Sequence, residues 1–205
     1  MATLETIRPN STIAAGSWTP QGAGGLHLAT DETTPNGDTD YALLEQIGTG
    51  TTQSTMELGL TNPTEWEPNA VQVRDGEAWD TPTELSVRDA STWKAPKSLR
   101  VRSGDAWVTV IPEVVVSVTA RREIGGNATA SYVIQVKAGT TVLVQSSSIT
   151  PGDSYAAATL TVPFNACLGV DPDDLRVAIV GTVTGNEELS FAELRVTQVE
   201  VDLND

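Results

Sequence analysis

Val71-Gln72-Val73-Arg74-Asp75-Gly76-Glu77-Ala78-Trp79, Leu85-Ser86-Val87-Arg88-Asp89-Ala90-Ser91-Thr92-Trp93 and Leu99-Arg100-Val101-Arg102-Ser103-Gly104-Asp105-Ala106-Trp107 are three copies of one pattern. Their tryptophans and their arginines Arg74, Arg88 and Arg102 recur every 14 residues without a slip. Each copy alternates apolar and polar residues, reaches Arg, turns at Gly76, Ala90 or Gly104, and returns to an aromatic. That order predicts a strand, a tight turn and a second strand. One repeat is one hairpin. A lone hairpin is marginal in water, so the three are expected to pack on one another, on the flanking chain or on another molecule. Trp79, Trp93 and Trp107 are expected to supply a shared apolar surface, with Arg74, Arg88 and Arg102 stacking on the indoles or pairing with Asp75, Asp89 and Asp105. The functional reading of the same arginines is a subunit contact.

Outward from the repeats, the chain keeps a β texture. Val114, Val116 and Val118 alternate with polar residues, as do Tyr132, Ile134 and Val136 beyond a Gly125-Gly126-Asn127 turn that fits a hairpin. Val142 and Val144, Tyr155 to Val162, Leu175-Val177-Ile179 and the stretch from Leu189 to Leu203 complete the C-terminal flank. Pro163 to Leu168 reads as one helical turn, and Phe191, Leu194 and Val196 break phase once, as a bulge would. On the N-terminal side, Leu4 to Ile7, Leu26 to Ala29, Tyr41 to Leu44 and Thr55 to Leu60 are strand candidates. The two flanks together give about eight strands, the number in a jelly roll. The expected fold is therefore all-β: a jelly-roll-like antiparallel β-sandwich with an inserted block of three short hairpins. The sandwich takes 1–66 and 113–205, and the repeats take 67–112. An independent N-terminal module is the rival topology.

Composition narrows the function. Of 205 residues, 12 are Lys or Arg and 27 Asp or Glu, a net charge of −15 whose field repels nucleic-acid phosphates and anionic lipid. Nucleic acid is not an expected partner. The single cysteine, Cys167, forms no internal disulfide, and the sequence opens without a charged-then-apolar leader, so synthesis in the cytosol is expected. No apolar run approaches the roughly twenty residues that span a bilayer, so membrane insertion is not expected. Neither catalytic residues nor a cofactor are expected. His27 is the only histidine, no Gly-x-Ser-x-Gly elbow occurs, and one His with one Cys falls short of a transition-metal ligand set. Asp31 to Asp40 and Asp171-Pro172-Asp173-Asp174 are oxygen-rich and suit calcium, yet Asp and Asn favour turns without any metal. Paired carboxylates for glycoside hydrolysis depend on a spatial separation that sequence does not give. Asn10-Ser11-Thr12 and Asn127-Ala128-Thr129 fit the glycosylation pattern without a secretory context.

Ile7-Arg8-Pro9-Asn10, Gly16-Ser17-Trp18-Thr19, Leu26 to Ala29 and Asp38-Thr39-Asp40-Tyr41 resemble the start of jelly-roll proteins of actinobacterial tailed phages, usually called minor tail or virion structural proteins. Ser131 to Val144, Tyr155 to Val162 and Asp173 to Val177 are similar to the second half of that domain, and the Val-Arg-Asp-Gly-x-x-Trp hairpins to tandem units of phage tail and fibre chains. The resemblance implies a virion component made in the host cytoplasm, bound to other virion proteins and to copies of itself, without turnover. Capsid decoration and head-fibre roles would use the same features. A carbohydrate-binding module for host attachment is the alternative from another class. It requires solvent-facing aromatics outside the repeats, for which Trp18, Tyr41 and Trp66 are the candidates, with a cell-surface glycan as partner.

Overall fold

The computed structural model describes residues 3–22, 40–60, 72–75, 78–82, 84–103 and 105–204. Its strands are β1 (Thr3–Ile7), β2 (Pro9–Ala14), β3 (Thr19–Gln21), β4 (Tyr41–Ile47), β5 (Gly50–Leu60), β6 (Val73–Asp75), β7 (Ala78–Asp80), β8 (Val87–Asp89), β9 (Thr92–Lys94), β10 (Leu99–Ser103), β11 (Ala106–Ile111), β12 (Glu113–Gly125), β13 (Ala128–Ala138), β14 (Thr141–Gln145), β15 (Ala156–Val162), β16 (Leu175–Gly185) and β17 (Phe191–Asn204). The first sheet runs β15-β12-β17-β4-β3, with β1 also on β17; the second runs β14-β13-β16-β5-β2. Every pairing in both is antiparallel. β4 and β5, β12 and β13, and β16 and β17 are each split between the two sheets, as in a jelly roll. The all-β expectation holds.

Alternation explains the layers. Val114, Val116, Val118 and Ala120 of β12, Tyr132, Ile134 and Val136 of β13, and Leu194, Val196, Val199, Val201 and Leu203 of β17 are buried, while their neighbours in sequence face outward. β17 holds the first sheet together. One edge pairs with β12 from Phe191 to Asn204; the other is shared by β4, on Phe191 to Val196, and β1, on Val201 to Asn204. The phase break expected among Phe191, Leu194 and Val196 lies instead at Thr197, a buried extra residue between Val196, opposite Ala120, and Gln198, opposite Thr119. The bulge keeps apolar residues inward on both sides of it.

Three local readings change or sharpen. Gly125-Gly126-Asn127 is not a hairpin turn but a corner between sheets, because β12 already pairs with β15 and β17 and β13 with β14 and β16. The hairpin lies one turn later, between β13 and β14 at Gly139, whose φ of 56° suits glycine. The helical turn expected over Pro163 to Leu168 is a 3-10 turn at Phe164–Cys167. The segments before and after the repeats meet in both sheets, β4 on β17 and β5 on β16.

Gly181 on β16 is a packing requirement. A Cβ there would lie 2.6 Å from Trp18 Cζ2, 2.7 Å from Leu44 Cδ2 and 3.1 Å from Leu194 Cδ2. Gly181→Ala is expected to destabilise the sandwich by about 1–3 kcal/mol, the usual cost of overpacking, while Trp93→Ala on the exposed hairpin stays within about 0.5 kcal/mol. Urea unfolding of both variants measures the contrast.

Candidate functional site

The repeats form three separate two-stranded ribbons, β6-β7, β8-β9 and β10-β11. Their registers coincide: Arg74 stands opposite Trp79, Arg88 opposite Trp93 and Arg102 opposite Trp107. Residues directly across an antiparallel pair share a face, so each ribbon presents one Arg–Trp pair. The turn is two residues long in each, between Asp75 and Ala78, Asp89 and Thr92, and Ser103 and Ala106. Ala90 adopts φ 53°, the left-handed region that two-residue hairpin turns demand. Carboxylates frame the ribbons: Lys94 Nζ lies 2.6 Å from Asp89 Oδ2, and Arg102 Nη2 lies 3.8 Å from Asp105 Oδ1.

The expected shared packing of the indoles is not what the structure has. Trp79, Trp93 and Trp107 are 62%, 67% and 61% exposed, so each indole keeps most of its surface in solvent. A two-stranded ribbon of three to six residues a side has too little area to enclose an indole. The block is tied to the sandwich by other contacts. Leu85 and Leu99 pack against the core, the Leu85 N–H donates to Asn165 Oδ1 at 3.0 Å, and Lys97 Nζ lies 3.7 Å from Glu113 Oε1.

Of the aromatics expected to face solvent outside the repeats, Trp18 and Tyr41 are among the described residues. Trp18 is buried, a correction to its reading as a solvent-facing ring, because the space above Gly181 admits the indole and its Nε1–H donates to the Ser54 carbonyl oxygen at 3.2 Å. Tyr41 is partly buried on the outer face of the first sheet, with the Arg195 guanidinium 5.0 Å from its ring centroid. Trp66 and His27 lie outside the described residues, as does all of the Asp31 to Asp40 loop except Asp40. Asp171 caps the 3-10 turn Pro172–Asp174, its Oδ1 accepting from the Asp173 N–H at 3.0 Å, which is the turn role. Among the described residues no group of three or more His, Cys, Asp or Glu is arranged to hold a metal ion.

Two features had no counterpart in the sequence reading. On the outer face of the first sheet, Arg195 Nη2 reaches Glu193 Oε2 at 2.5 Å and Glu123 Oε2 at 2.7 Å, and Arg121 lies 5.0 Å from the Tyr155 ring centroid. A cavity of about 430 Å³ beside it is lined by Arg121, Arg122, Glu123, Ile124 and Asp153, with the Arg122–Asp153 pair at 3.5 Å. The second is the tip where β4, β12, β16 and β17 turn. There Leu189 is 93% exposed, Ile47 75% and Phe191 36%. Leu189 follows Glu187-Glu188 in a short turn, a place where an apolar residue has no core to enter; that was its signal in the sequence.

No family model and no curated protein matches the chain. Among solved structures, the chain is similar to the family 11 carbohydrate-binding module of the cellulosomal cellulase Lic26A-Cel5E of Clostridium thermocellum. The likeness covers 87% of this chain and 92% of that chain at 12% identity, with a TM-score of 0.26.

Ala90→Gly relieves a left-handed alanine, which costs on the order of 1 kcal/mol, so the amides of β8 and β9 are expected to gain protection in native-state hydrogen exchange. Burial pushes the Cys167 thiol up from 9.0 to about 12 and the Tyr132 hydroxyl up from 10.0 to about 12. The unfolded chain therefore releases these protons first as pH rises, so stability is fullest below pH 9.0 and falls between there and about 12. Urea midpoints measured up that range test this, and a midpoint unchanged by alkali contradicts it.

Proposed function

We propose that the protein is a non-catalytic structural subunit of a bacteriophage particle, a minor tail component, and that the hairpin block is its contact surface. One observation carries this reading. Three ribbons in the same register each hold out an Arg opposite a largely exposed Trp, the residue types that dominate protein–protein contacts. Two-stranded ribbons gain stability from partners rather than from themselves. The sandwich provides a rigid mount, because both of its sheets are stitched from chain segments on either side of the block. Repeated copies of a modest contact in a particle add up through avidity. The resemblance of the opener, the second half and the repeats to actinobacteriophage virion proteins supports the same assignment.

A cell-surface glycan is the second reading, favoured by the exposure of the same three indoles, since an open aromatic face also stacks on sugar rings.

Immunogold labelling of intact particles with an antibody to this chain tests the assignment. Tail label is expected. Label on the capsid moves the protein to a decoration or head-fibre role, and its absence from particles overturns the virion reading. The variant Trp79→Ala, Trp93→Ala, Trp107→Ala is expected to fold and to be lost from particles at least tenfold. Retention of the folded chain on host cell-wall glycan, lost in the same variant, would favour the second reading.

A further inference from the structure

The two ends of the sandwich differ in chemistry. The chain leaves for the repeats after Leu60, opposite Pro9, and returns at Glu113, opposite Asn204, so the block is rooted at one end. The other end is the tip, where Gly50 lies opposite Gly185 and Gly125 opposite Phe191. The 14 residues of β17 separate these ends by roughly 40 Å at strand rise.

Charge follows the same polarity. The second and third hairpins, residues 85–107, hold five cations, Arg88, Lys94, Lys97, Arg100 and Arg102, against two carboxylates, Asp89 and Asp105, a net of +3. The remaining 182 residues carry −18. At the tip, Ile47 and Phe191 are cross-strand neighbours on the outer face, and the turn bearing Leu189 sits against them, with the Gly48 N–H donating to the Ser190 carbonyl oxygen at 2.8 Å. One row below, Glu123, Glu193 and Glu45 stand side by side across β12, β17 and β4. Like charges placed directly opposite are destabilising. Arg195 pairs with Glu123 and Glu193, whereas Glu45, Glu187 and Glu188 are exposed and make no ion pair among the described residues. The tip is an apolar patch with an acidic rim; the second and third hairpins are aromatic with a net positive charge.

We propose that the chain assembles head to tail, the second and third hairpins of one copy seating on the Ile47–Leu189–Phe191 tip of the next. The occupant is a second copy because the complementary surfaces lie at opposite ends of one molecule and cannot meet within it. The contact is heterologous, so it propagates into a ring or a filament rather than closing as a two-fold dimer. Its apolar centre would bury Leu189 and the indoles, and its rim would pair Arg88, Lys94 and Arg102 with Glu45, Glu187 and Glu188, so it weakens with salt. This deepens the reading of the hairpins as contact surfaces but is tested apart from it. A particle-bound chain that never self-associates overturns only the head-to-tail contact, and a self-assembling chain absent from particles overturns only the virion assignment.

Two one-sided variants decide it: Ile47→Glu with Leu189→Glu at the tip, and Trp93→Ala with Trp107→Ala on the hairpins. All four side chains are exposed, and far-UV circular dichroism confirms folding; Leu189→Asn is the milder tip variant. Mass by analytical ultracentrifugation should rise past the dimer with concentration for the native chain, and fall again when salt is raised tenfold. Each variant alone should be a monomer. An equimolar mixture should give a one-to-one dimer and nothing larger, since one intact tip meets one intact hairpin block. A native chain that stays monomeric, or stops at a dimer, overturns the proposal, as does a mixture of the variants that does not pair.

Discussion

Both sheets close only when strands from the two ends of the chain meet. β17 is the seam: it pairs with β12 along its whole length and offers its other edge to β4 and β1, while β16 does the same for β13 and β5 in the second sheet. The segment between Leu60 and Glu113 is therefore a connection whose two ends the sandwich fixes. Closure entropy grows only with the logarithm of length, so extending a turn of a few residues to about fifty costs on the order of 2 kcal/mol. A core that buries Leu44, Met56, Leu58, Ile134, Ile179, Leu194 and Leu203 completely can carry that. The insertion is tolerated because the seam does not run through it.

The N-terminal strands strengthen the closure. β1 joins the first sheet on β17 and β2 the second on β5, so a single residue, Arg8, spans the change of layer. Its Nε and Nη2 both donate to Glu200 Oε1, at 3.0 and 2.6 Å, a forked grip that fixes the crossing point. On the outer face of the second sheet, Lys137 of β13 pairs with Glu57 of β5 across the intervening β16. Partly buried ion pairs of this kind bind strands that are not neighbours.

Strand periodicity was legible in the residues because burial on one face leaves a period of two, and the hairpin block was legible because its turns and aromatics repeat. What was not legible depended on partners distant in sequence. Trp18 looks like a loop aromatic until Gly181, far along the chain, is seen to leave the space it fills. Gly125-Gly126 looks like a hairpin because the local signal is the same whether the next strand stays in the sheet or crosses to the other. The indoles were expected to pack together because repeats suggest mutual burial, yet the three ribbons stay separate two-stranded sheets and each leaves its own indole exposed. The Arg195–Glu123–Glu193 cluster needs the registers of two pairings at once, and neither register is written in a single strand.

The polarity of the molecule follows from the same topology. The short turns 47–50, 125–128 and 185–191 all fall at one end because β4, β12 and β16 all run toward it, leaving the long connection to emerge at the other. Tight turns admit few residues, and those at this end hold Leu189 and Ile47 away from the core whatever their hydropathy. An apolar residue that no fold-internal contact can bury weighs on stability and solubility only until a second surface covers it. The long connection has the opposite freedom: it can hold aromatics and cations in open hairpins because the seam does not need them inside. One fold thus leaves Leu189 and Ile47 exposed among its short turns at one end and roots the connection that carries the hairpins at the other.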